Sequence, residues 1–176
     1  PIGITWDIEI LRKVGTLARR YGVVVVSDEI HADLAMFGHT HHVFASVSDD
    51  AAAVAVTLSA PSKTFNIPGI VSSWCVIKNP DLRKGFFEWL EANEFNEAPF
   101  FSTIATESAY KCGSEWLDQA KNYIENNIIA VEEYCAKHIP AIKPIRPQAS
   151  FLVWLDCSAL NLSHEELVDL FVNKAG

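Results

Sequence analysis

The 176-residue chain has no CxxC pair, no basic block, no apolar run of membrane length and no internal repeat. Each absence excludes something. Its four cysteines, Cys75, Cys112, Cys135 and Cys157, are scattered. That spacing suits neither a disulfide framework nor a zinc site, and reads as small core residues in a reducing compartment. Twenty-two acidic residues against 14 basic leave a net charge of −8, so nucleic acid and anionic membranes are poor partners. No stretch approaches the ~20 apolar residues that cross a bilayer, and no signal-type segment opens the chain. The expectation is a cytoplasmic protein with no nucleic-acid or membrane partner. What is present is a globular composition, 49% hydrophobic and 20% charged, enough for one ordinary domain with a core.

Periodicity supplies the elements. Thr5 is the expected N-cap of a helix with Asp7 and Glu9 in its first turn, Ile8, Leu11, Val14, Leu17 and Tyr21 at helical spacing, and Gly22 at its end. Val23–Val26 reads as a short strand buried on both faces of a parallel sheet, running into Ser27-Asp28-Glu29-Ile30-His31. A second parallel strand is expected from Ala51 to Leu58 and a third strand from Ile70 to Ile77. Asn79-Pro80 opens a helix with Leu82, Phe86, Trp89 and Leu90 inward, and another helix covers Ser102–Lys111. A long helix from Ser114 to about His138 carries Trp116, Ala120, Ile124, Val131 and Cys135 as its stripe. Past Pro140, Pro144 and Pro147 come a strand, Phe151–Leu155, and a helix opened by the capping box Ser163–Glu166. The pattern predicts α/β, a mainly parallel sheet flanked by helices over 1–138, followed by the start of a small α+β unit over 139–176.

Open parallel sheets bind ligands beyond the carboxyl ends of their strands. Two such ends carry ionisable groups, Asp28 and His31 after the first strand and Lys63 after the second. Lysine and carboxylate in this relation suit pyridoxal phosphate: the amine holds the aldehyde as a Schiff base and the carboxylate pairs with the ring nitrogen. Partial burial would favour the neutral, nucleophilic amine. Ser59 and Ser62 can donate to phosphate oxygens. Taken singly, Lys63 also reads as a solvated surface lysine and Asp28 as a loop-capping carboxylate. Spacing alone leaves a phosphate- or nucleotide-binding α/β domain open.

The run Ala60-Pro61-Ser62-Lys63-Thr64-Phe65-Asn66-Ile67-Pro68-Gly69 resembles the cofactor-lysine motif of fold-type I pyridoxal-phosphate enzymes, and Ser27–Asp33 resembles their aspartate motif. Within the class I/II aminotransferase superfamily, both are most similar to the PatB/MalY-type cystathionine β-lyase (C–S lyase) branch. Pro1-Ile2-Gly3 resembles the tail of the motif that precedes the large-domain helix, and Gln148–Asp156 the first strand of the small domain. The resemblance implies that 1–138 is the C-terminal part of the large cofactor domain with its long connecting helix. It implies that Lys63 is the Schiff-base lysine and proton shuttle, and that Asp28 binds the ring nitrogen. His31 stands where typical aminotransferases have a tyrosine near the phenolic oxygen, and Ser59 and Ser62 are the phosphate candidates. It also implies a homodimer, an amino-acid substrate and a chain that is a middle piece. The family's glycine-rich loop and ring-stacking aromatic are expected upstream of Pro1, and the substrate-carboxylate arginine downstream of Gly176.

Two departures bear on the reaction. No arginine follows the lysine in Ile70-Val71-Ser72-Ser73, where aminotransferases clamp phosphate, and Ala60 replaces a phosphate-binding serine found in many relatives. The first fits the lyase branch. The expected reaction is therefore C–S β-elimination from a cystathionine- or cysteine-type substrate, giving thiol, pyruvate and ammonia. Transamination is the alternative, and a catalytically incompetent piece with a structural or interaction role is a third reading. His39, His41 and His42 lie in a polar loop without matching ligands and do not suggest a metal. His42 is the one expected near the cleft, since related chains carry a histidine in a similar loop. Phe86, Phe87, Trp89, Phe100 and Phe101 read as core or dimer-interface aromatics, and Glu125, Glu132 and Glu133 as the solvated face of the long helix.

Overall fold

The computed structural model describes residues 3–175; Pro1 and Ile2 of the first resembling motif lie outside them. Helix α1, Ile8–Tyr21, begins two residues later than Thr5 would place it. Asp7 is the N-cap, its Oδ1 accepting the N–H groups of Glu9 (2.8 Å) and Ile10 (3.2 Å). Thr5 is engaged elsewhere: its N–H and hydroxyl donate to Gln148 Oε1 at 2.8 and 3.1 Å. Gly22 closes the helix at φ 64°, where a side chain would be strained, and donates back to Ala18 and Arg19.

Strand β1, Val25–Asp28, pairs in parallel with β2, Ala55–Ser59, with Asp28 opposite Leu58. The expected strand over 51–58 is split. Ser48 caps a short helix α2, Asp49–Val54, whose acidic first turn and alanines favour helix, and only then does β2 begin. After α3, Pro61–Thr64, the loop returns the chain without a crossover helix, so β3, Trp74–Val76, lies antiparallel on β2 in the order β1-β2-β3. The α/β class stands, with β1–β2 as its parallel pair.

The core lies on one face of this sheet. Ala18, Phe44, Val47, Ala51, Val54 and Ala55 form it, with Ile8, Leu11 and Val25 packed at its edge. α1 meets α2 through its small residues, so closely that a Cβ on Gly15 would stand 2.8 Å from that of Ala51. Val14, Leu17 and Tyr21, expected to face inward, are therefore exposed. The valine run is likewise not buried on both faces: Val23, Val24 and Val26 are exposed. On that side Val24 and Val26 line an open groove with Leu82, Gly85 and Phe86.

Helices α4 (Pro80–Ala92), α5 (Phe100–Cys112) and α6 (Ser114–His138) follow, with Asn79 capping α4. Trp89 points outward, as do Phe87, Phe100 and Phe101, so these aromatics are not core among the described residues. On α6, Ile128 and Cys135 are the buried positions, whereas Trp116 and Val131 are exposed. Two glutamates on α6 are not merely solvated. Glu125 accepts the Phe37 N–H at 2.6 Å, and Glu132 pairs with Arg146, whose guanidinium lies 4.9 Å over the Phe37 ring. Strands β4 (Lys143–Ile145) and β5 (Trp154–Asp156) form an antiparallel pair, so the expected strand at 151–155 starts three residues later. Helix α7, His164–Val168, opens with the Ser163–Glu166 capping box as expected and widens over Asp169–Lys174. The four cysteines are free; Cys135 is buried, but Cys112 is exposed and not a core residue. Among the described residues no helix is long and apolar enough to cross a membrane.

Candidate functional site

The parallel pairing brings the ends of β1 and β2 side by side, because a parallel ladder aligns their carboxyl termini. Asp28 closes β1, and its Oδ1 accepts the Ile30 N–H at 3.2 Å, which turns the chain away from the sheet. Asp28 is exposed to a cleft of about 450 Å³, in the size range of small-molecule sites. The same cleft is lined by Thr5, Trp6, Glu29, His31, His41 and Ser150 among others.

His31 precedes a short 3-10 turn, Ala32–Leu34, and is half-buried. Burial lowers its pKa below the ordinary histidine value, and the Lys63 charge lowers it further, while Asp28 works in the opposite direction. The imidazole is thus held toward its neutral form between an amine and a carboxylate.

Lys63 sits on α3, directly beyond the end of β2, and is exposed rather than partly buried. It does not line the cleft, although it is close enough for its charge to act on His31. Among the described residues nothing closes over it. Its helix is anchored from both sides. Thr64, 2% exposed, donates its hydroxyl to Asp33 Oδ2 at 2.8 Å, tying the lysine segment to the aspartate segment. Phe65 packs edge-on against Tyr110 (5.3 Å) and beside Trp116 (6.3 Å), over Gly113. Of the two phosphate candidates, Ser59 is buried and donates its hydroxyl to Glu29 O at 3.3 Å, whereas Ser62 is half-buried in α3.

Sequence reasoning missed Glu29 and His41. Glu29 is 5% exposed, and its carboxylate accepts from Ser27 Oγ (2.9 Å) and the Phe44 N–H (3.0 Å) and contacts His41 Nε2 (2.8 Å). Burial pushes its pKa up, but those three bonds outweigh burial and the net shift is downward. His41 lines the cleft, and His42 lines an adjoining hollow that shares Trp6, Asp28, Glu29 and His41 with it, so His42 stands beside the cleft. The available signal was an acid next to Asp28 and a histidine cluster a short loop away. Among the described residues, no group of three metal-ligating side chains converges.

The parallel pairing thus brings the carboxylate of Asp28, the imidazole of His31 and the amine of Lys63 to two adjacent strand ends, with Lys63 outside the cleft that the other two line. The chain belongs to the aminotransferase class I and II family, whose pattern it matches over residues 1–175. Among curated relatives, cystathionine β-lyase PatB of Bacillus subtilis is 44% identical over 174 residues, 99% of this chain but 45% of the relative. Cystalysin from Treponema denticola, which contains pyridoxal 5′-phosphate, superposes with a TM-score of 0.94 at 34% identity, covering 99% of this chain and 44% of that one. A pyridoxal-phosphate-bound C–S lyase from Staphylococcus hominis, complexed with L-cycloserine, gives 0.87 at 30% identity, covering 99% and 42%. The chain thus spans less than half the length of the relatives it matches.

Proposed function

We propose that this protein is a pyridoxal-phosphate-dependent C–S β-lyase acting on cystathionine- or cysteine-type amino acids, with release of thiol, pyruvate and ammonia. The observation that carries the reading is the gathering of Asp28, His31 and Lys63 at the ends of two hydrogen-bonded parallel strands, cross-tied by Thr64 and Asp33. The donor set fits the cofactor. Asp28 Oδ1 is used once, by a backbone N–H, which leaves its carboxylate able to accept from a protonated ring nitrogen. Lys63 offers an accessible amine, and His31 offers one ring N–H toward a phenolic oxygen.

When bound, pyridoxal phosphate supplies an aldehyde to capture amines and a ring that accepts the electron pair left at an amino acid's α-carbon. The chain's own residues do the rest. Lys63 would hold the cofactor's aldehyde and, with its amine free, would take the proton from the substrate's α-carbon. Asp28 would accept a hydrogen bond from the ring nitrogen and so favour its protonated form. Ser62 and Ser59 are the phosphate candidates, Ser62 the more accessible of the two. Loss of the thiol from the β-carbon, with one water consumed to give pyruvate and ammonia, would separate this reaction from transamination, which keeps the β-substituent. The absence of an arginine in Ile70–Ser73 favours the lyase. The same proposal includes a homodimer in the cytoplasm and a change of domain after His138.

The test is to supply the protein with cofactor and cystathionine and to measure pyruvate and free thiol beside a Lys63→Ala control. Release that depends on Lys63 is expected. Release no greater than the control overturns the proposal, and cofactor conversion by a plain amino acid, reversed by a keto acid, selects transamination instead.

A further inference from the structure

The stretch from Pro147 to Phe151 belongs to neither strand-end motif, yet it is knitted into both sides of the cleft. The Gln148 carbonyl accepts the Met36 N–H at 2.9 Å, while its own N–H donates to Gly3 O at 2.6 Å. Gly3 packs against this turn so tightly that a Cβ there would stand 2.5 Å from that of Pro147. Ala149 bridges Ala35, and Ser150 donates its N–H to Leu34 O at 2.9 Å. Ser150 itself stands at φ 72°, a conformation that a non-glycine residue keeps only where its surroundings hold it. It is 9% exposed, and its hydroxyl has one partner among the described residues, His31 Nδ1 at 3.3 Å. The Phe151 ring lies against the same imidazole, centroid to centroid 5.5 Å.

We infer that Ser150 is a positioning residue for His31: its hydroxyl donates to Nδ1 and so holds the neutral imidazole with its proton on Nε2. A neutral imidazole has one N–H, and a hydroxyl can either donate to Nδ1 or accept from it. Acceptance would leave the hydroxyl hydrogen with no acceptor among the described residues, whereas donation pairs the hydroxyl with Nδ1. The charged groups bearing on the ring, Lys63 and Asp28, act on its charge state, and burial keeps it toward neutral. Nε2–H then becomes the ring's donor. This inference rests on the pyridoxal-phosphate reading for its purpose, since an Nε2–H suits an anionic phenolic oxygen. The tautomer itself does not depend on a cofactor.

Long-range proton–nitrogen correlation spectra of the ¹⁵N-labelled full chain test it, recorded well above the ordinary histidine pKa of ~6.5, with His31 assigned by a His31→Gln variant. The expected spectrum has His31 in the Nε2–H form. In Ser150→Ala the two ring nitrogens should move toward each other as the tautomers mix. Ser150→Gly, which accepts a positive φ without strain and so keeps the fold safe, should do the same. A wild-type His31 that is Nδ1-protonated or evenly mixed overturns the inference, as does no shift in either variant. If the chain takes up no pyridoxal phosphate while His31 is in the Nε2–H form, the function reading falls and the role of Ser150 stands.

Discussion

Replacing Glu29 should damage the fold, although the Ser27–Asp33 motif that contains it marks only Asp28 and His31 for the site. The side chain is 4% exposed and serves Ser27, His41 and the buried Phe44 N–H at once. Glu29→Ala leaves that N–H without an acceptor, which alone costs ~1–3 kcal/mol. It also takes the carboxylate partner away from His41 Nε2, a further loss of ~1 kcal/mol. Because Phe44 belongs to the core, the loss should reach the fold and not only the loop. Glu29→Gln can keep an oxygen for Phe44 and Ser27 and should lose about 1–2 kcal/mol.

Acid supplies the second arm of the same test. The folded pKa of Glu29 is lowered, so its contribution is fully present above the unfolded carboxylate value of ~4.3 and is lost as pH falls through the folded value. Glu29→Gln removes that part of the acid slope. His31, whose folded pKa is also lowered, contributes above ~6.5 and loses that contribution as pH falls through its own folded value. Its arm therefore begins at higher pH and survives in Glu29→Gln. Urea unfolding followed by circular dichroism at a series of pH values measures both. A Glu29→Ala loss under about 1 kcal/mol at neutral pH would refute the reasoning, as would an unchanged acid slope in Glu29→Gln.

Two glycines should be intolerant of a methyl group. Gly15→Ala forces α1 off α2, because the new Cβ meets Ala51 Cβ at 2.8 Å and its backbone at 3.0 Å; a loss of ~1–3 kcal/mol in thermal unfolding is expected, and an unchanged melting temperature would deny that contact. Gly113→Ala places a Cβ 2.5 Å from the Phe65 ring and from Ala109 O. The ring must leave its place between Tyr110 and Trp116, so indole fluorescence should change along with a loss of similar size, ~1–3 kcal/mol.

The legible parts were those whose cause is local. Gly22 ends α1 because the chain needs a left-handed residue there, and Ser163 with Glu166 opens α7 by bonds within one turn. The length of α6 and the site of α4 follow from periodicity and the Asn79-Pro80 start. The Ala51–Leu58 run misled because alanines suit a buried strand and a capped helix alike, and Ser48 decided between them. For a related reason only part of each apolar stripe faces inward: Ile8 and Leu11 on α1 pack on the core while Val14, Leu17 and Tyr21 do not, and on α4 Leu82, Phe86 and Leu90 are half-buried while Trp89 is exposed. Large residues suggest the core, but α1 packs through Gly15 and Ala18, and the aromatics of α4 and α5 have little to pack against among the described residues.

The residue types of the candidate site were readable along the chain, since a lysine and an aspartate each follow an apolar run. By itself the sequence determined that Asp28 ends one strand and Lys63 follows the next, and that several helix ends lie where their caps stand. Tertiary structure alone decided that Asp33 reaches Thr64, that Glu29 holds His41, that Lys63 stands exposed, and that Ser150 meets His31 across 119 positions of chain. Contacts of that kind depend on how strands register and where loops return, and neither is encoded in any short window of residues.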